Sequence, residues 1–156
     1  MQRDYIMRLI EQIAALLASV VAKQRAGQYP EAKAELEEKA RQTIGFGLSD
    51  LKRLSPEAVS QLLESSGGLR YGRAVVVAEL LLQDAAISEA TGESTDTFLS
   101  YLHAFCLLSD SIETLTVEDQ TVYRPKVDAL VTRLRSLPPH PYVSGKLRKY
   151  HAGSNT

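Results

Sequence analysis

The side chains that could do chemistry are few and scattered. Three histidines, His103, His140 and His151, could bind a metal or move protons near neutral pH. None is set among Cys, Asp, Glu or a second His at a spacing that makes a recognisable metal box. The single cysteine, Cys106, cannot form an internal disulfide. Within Phe105-Cys106-Leu107-Leu108 it reads as a small buried hydrophobe. The stretch Ser65-Ser66-Gly67-Gly68-Leu69-Arg70 could offer backbone N–H groups to an anion beside Arg70 or Arg73. A Walker loop needs Gly-Lys-Ser/Thr and a preceding strand, both absent, so the stretch reads as a hinge. No Ser or Cys stands in a Gly-x-Ser-x-Gly context. Glu79, Glu89, Glu93 and Asp96 gather without a His or a hard-cation loop and read as surface charge. The sequence therefore names no catalytic, cofactor-binding or metal residue, and the chain is expected not to be an enzyme.

Charge excludes little else. A formal net charge of −1 creates no global field toward nucleic acid or an anionic membrane. The longest apolar stretch, Ile13 to Ala22, is about half of the ~20 residues that cross a bilayer, so no membrane span is expected. Asp4 and Glu11 interrupt the start, which does not read as a secretory signal. With one cysteine, the reducing cytoplasm is the expected compartment. The basic residues Lys146, Arg148 and Lys149 near Tyr150 and His151 leave nucleic-acid or anion binding as the alternative function.

The elements that must position these groups are helices. From Arg3 to Ala26 there is no Pro or Gly, and Ile6, Ile10, Ile13, Leu17 and Val20 recur at helical steps. The second half of this helix is apolar nearly all round, so other helices or another subunit must cover it. Gly27 and Pro30 predict a tight turn into a helix on Ala32, Leu36, Ala40 and Ile44. A short piece on Leu48, Leu51 and Leu54 precedes a third helix started by Ser55-Pro56-Glu57. A fourth runs from about Tyr71 to Thr91 despite Val75-Val76-Val77, and a fifth begins at Ser94. A sixth follows Thr116, with Pro125 kinking it or marking its start. Pro138-Pro139-His140-Pro141 then opens a basic tail. The expectation is an all-α fold of about six helices in antiparallel hairpins, with one domain over residues 1–137 and a flexible tail over 138–156.

The turn Gly27-Gln28-Tyr29-Pro30-Glu31-Ala32 resembles a tetratricopeptide-repeat turn, and Gly92 repeats its glycine 65 residues later, close to two 33-to-34-residue units. The opening Arg3-Asp4-Tyr5-Ile6-Met7-Arg8-Leu9-Ile10-Glu11-Gln12, with Ala26-Gly27-Gln28-Tyr29 and Tyr123-Arg124-Pro125-Lys126-Val127-Asp128, resembles an uncharacterised bacterial domain-of-unknown-function family of tetratricopeptide-like helical proteins. The resemblance covers residues 3 to 139 and implies a cytoplasmic bacterial protein of helical hairpins. It brings no activity, ligand or site residues. Beyond Leu137 the family continues in helix where this chain turns to a tail-like composition.

In peptide-binding tetratricopeptide proteins the first helix of each hairpin lines a groove. Aligning the turns places Ala14, Leu17, Val21, Gln24 and Arg25 there, followed by Glu79, Leu82, Ala86, Glu89 and Ala90. Such a lining lacks the Lys and Asn pattern of a carboxylate clamp. It suits an apolar helix of a protein partner or a second copy of the chain, with no cofactor and no evident small-molecule ligand.

Overall fold

The computed structural model describes residues 2–65, 70–112, 117–136 and 141–154. These form α1 (Gln2–Arg25), α2 (Tyr29–Ile44), α3 (Leu48–Lys52), α4 (Pro56–Ser65), α5 (Arg70–Ala90), α6 (Ser94–Ile112), α7 (Val117–Arg135) and α8 (Pro141–Ser154), with no strand among the described residues. The hinge at 66–69, the cap at Thr116 and the segment 137–140 lie outside them.

Two turns of the same construction set the topology. Gly27 and Gly92 both take φ near 77°, the left-handed region where a Cβ is strained. In each turn the next N–H reaches back five residues, Gln28 to Lys23 O and Glu93 to Ser88 O, both at 2.9 Å. This bonding closes orphan carbonyls at a helix end and lets the following helix return along the preceding one. Thus α2 packs on α1, and α6 packs on α5. Ser55 Oγ accepts the Ala58 N–H at 3.1 Å, so the Ser-Pro-Glu signal does start α4.

The central helix is α5, not the first. Val75, Val77, Ala78, Leu80, Leu81, Ala85 and Ile87 are all fully buried, because α1, α2, α4 and α6 pack around it. Burial on every side outweighs the low helix propensity of Val75-Val76-Val77. From Glu11 onward α1 buries Ile13, Leu17 and Val20, while Ala14, Ala15, Ala18 and Ala22 are exposed. Its second half is apolar all round, yet the chain covers one side of it. α7 starts at Val117 and continues through Pro125, so that proline does not begin the helix.

The described residues form eight helices where about six were expected. One addition is the five-residue α3, and the other is α8, where a flexible tail was expected. Tyr150 is 5% exposed and meets Phe105 of α6 edge-on at 6.3 Å. Its hydroxyl donates to Asp128 at 2.6 Å, and the Arg124 guanidinium lies 5.4 Å from its ring. A basic, glycine-containing composition hid a short stripe of Leu147 and Tyr150 that reaches the core. α8 packs on α6. Removing the Tyr150 ring should cost what a buried aromatic costs: Tyr150→Ala is expected to lower unfolding free energy by about 3 kcal/mol in urea titrations. An unchanged midpoint would mean that α8 is detached in solution.

Candidate functional site

Two polar features stand inside this helical frame, a buried ion cluster and a groove. The cluster gathers where α2, α3, α5 and α6 meet. Lys52 of α3 is 6% exposed, and its ammonium donates to Asp84 Oδ2 of α5 at 2.5 Å. Ser100 of α6 donates to the same oxygen at 2.8 Å. Asp96 stands 3.6 Å from Lys52, and Lys33 of α2 donates to Ser88 Oγ, Glu93 and Asp96 at 2.9, 2.9 and 3.1 Å. A buried charge is tolerable only when paired and hydrogen-bonded, and each cation here faces two or more acceptors.

These pairings leave no base. Burial alone would lower the Lys33 pKa, but hydrogen bonds and charge from Glu93, Asp84 and Asp96 outweigh it and hold the ammonium protonated. Glu93 is held below the usual carboxylate range by its hydrogen bond from Lys33 and a second from Thr91. Burial would raise Asp96, yet Lys33 and Lys52 keep it low. Cys106 is pushed up to about 12 by burial, with Asp110 adding to it, so its thiol stays protonated and inert. His103 is 1% exposed and lies within α6. A cleft of about 540 Å³ passes over Lys52, Leu54, Phe98, Leu102 and His103, but its deep charge, Lys52, is already committed to Asp84 and Asp96. Among the described residues no three His, Cys, Asp or Glu side chains converge as a metal site. No helix among them is long and apolar enough to cross a membrane.

The groove is different, because it is an open recess between helices. It encloses about 470 Å³ between α1, α5 and α7. Ile13, Ala14, Leu17, Ala18, Val21 and Arg25 form the α1 wall, Glu79 and Gln83 come from α5, and Tyr123 and Lys126 come from α7. Lys126 bridges to Glu79 at 2.5 Å, and its ammonium lies 5.9 Å from the Tyr123 ring centroid. Tyr123 is 3% exposed, and its buried hydroxyl has no hydrogen-bond partner among the described residues. Burial, reinforced by the Glu79 charge, raises its pKa, so it remains an O–H donor with nothing to donate to.

Of the five residues expected along the groove, Ala14, Leu17, Val21 and Arg25 line it. Leu17, at 7% exposed, is floor, not rim. Gln24 is half-buried and bonds Gln83 beside it. From the second set only Glu79 lines the groove, while Glu89 pairs with Arg133 and Tyr101 elsewhere. Sequence reasoning missed Gln83, Tyr123 and Lys126. The α7 wall has no local signal, since it comes from a helix packed against α6 that also touches α1. Of the basic segment, Lys146 bonds Asp110 of α6 and Tyr150 is buried, so two of the groups noted there are turned into the fold.

No protein-family model, no curated protein and no solved structure matches this chain.

Two outcomes follow from these geometries. The depressed carboxylates Glu93 and Asp96 stabilise the fold above their unfolded pKa values, and that contribution is lost as pH falls through their lower folded values. The urea midpoint should therefore drop on acidification below about pH 4.5, and the drop should be shallower in Lys33→Met. Equal slopes in both proteins would contradict the pairing. Tyr123→Phe removes a buried hydroxyl that has no partner, and should leave the isolated chain as stable or about 1 kcal/mol more stable. A loss of stability would show that the hydroxyl is satisfied within the chain.

Proposed function

We propose that this chain is a non-enzymatic, cytoplasmic protein-binding module of helical hairpins resembling tetratricopeptide repeats, which takes an apolar helical segment of a protein into the α1–α5–α7 groove. The observation that carries this reading is an uncovered apolar face on α1 that adjoins a groove walled by α5 and α7. Two turns of matching geometry 65 residues apart support the repeat architecture and the family resemblance. The alanines Ala14 and Ala18 let a second helix approach closely, as small residues do wherever helices pack at short range. Arg25, Lys126 and Glu79 at the sides give such a helix charged points that fix its direction.

The ion cluster is enclosed by helix packing, and both of its lysines are engaged by Asp84, Glu93 and Asp96. A benzophenone side chain placed at Ala18 and activated by light in cells is expected to form discrete adducts with protein. The same group at Ala129, exposed on α7, should form few. Equal labelling from both positions, or none from either, would refute a docking role for the groove.

A further inference from the structure

Resting on that reading, we infer that the helix received by the groove is α1 of a second copy of the chain, docked antiparallel about a twofold axis at Ala18. Glu11, Ala15, Ala18, Ala22 and Arg25 recur along α1 at steps of four and three residues, and all five are exposed. This is the spacing of a helix-to-helix seam, here built from alanines that bring two backbones close. The seam is also self-complementary in charge. Centring two antiparallel copies on Ala18 sets Glu11 opposite the second copy's Arg25, Arg25 opposite the second copy's Glu11, and Ala14 opposite the second copy's Ala22. The two charge pairs then lie at the ends of a seam about 21 Å long. A parallel pairing would instead set like charge on like charge at both ends. Within one chain, Glu11 and Arg25 have no ion-pair partner among the described residues.

The groove adjoins the same face. Ala14, Ala18 and Arg25 of the seam also line it, so a second α1 on this face borders the wall formed by Glu79, Tyr123 and Lys126. The interface is isologous, as a twofold requires, since each copy gives the same patch that it receives.

The test uses the full chain in sedimentation equilibrium over a wide concentration range. The wild type is expected to shift from one to two chain masses, Ala18→Arg to stay at one, and Glu11→Arg alone to weaken association. Combining Glu11→Arg with Arg25→Glu should restore it, which a merely apolar contact would not do. Ala18→Cys, lying on the axis, should form a disulfide-linked pair on mild oxidation, several-fold more than Ala129→Cys, with Cys106 buried and silent. A wild type that stays at one chain mass, or a double charge reversal that fails to rescue, overturns the inference. Adducts of Ala18 with a different protein alongside a monomeric wild type would sink self-association while leaving the groove as a docking site.

Discussion

The Lys52–Asp84 pair is the constraint around which the helices are arranged. Asp84 is fully buried on the central helix, so its carboxylate must be matched or the fold would carry an unpaired interior charge. Lys52 reaches it from α3, Ser100 from α6, and Lys33 of α2 stands 3.9 Å from its other oxygen. Four helices therefore converge on one acidic side chain. A rearrangement that moved any of them would strand a charge, which makes the packing specific where apolar contacts alone would tolerate slippage. Breaking such a pair costs more than the pair contributes, because the remaining partner is left desolvated.

That arrangement determines what the rest of the surface can do. With α5 held at the centre and α2, α4 and α6 around it, α1 lies on one flank, covered on the side of Ile13, Leu17 and Val20 and bare on the side of its alanines. α7 returns to the same flank and closes a groove, bringing Tyr123 to its wall. The cluster's two lysines are engaged by Asp84, Glu93 and Asp96 inside the helix packing, whereas the groove lies open between α1, α5 and α7.

Much of the helical layout was legible from the order of residues, for identifiable reasons. Gly27, Gly92 and Ser55-Pro56 carry their conformational preferences in their own covalent structure, so the turns and starts they mark could be read locally. α8 could not be read this way, because its anchor is Tyr150 against Phe105 and Asp128, a contact between distant segments. The Lys33, Lys52 and Asp84 cluster was invisible for the same reason: in sequence its members look like ordinary surface charges. The apolar second half of α1 was conspicuous, but which side stays uncovered depends on where α5 and α7 lie. Aligning the turns puts Ala14, Leu17, Val21 and Arg25 on the α1 side that the groove borders, whereas Tyr123 and Lys126 come there only through the packing of α7.

The most direct check of this account is hydrogen exchange measured at low and high protein concentration. Added protection at high concentration should be confined to the amides of residues 11–25 and of the α7 turn around Tyr123 and Lys126. Identical exchange at both concentrations, or protection gained on another face, would contradict the assignment of α1 as the face on which a second copy docks.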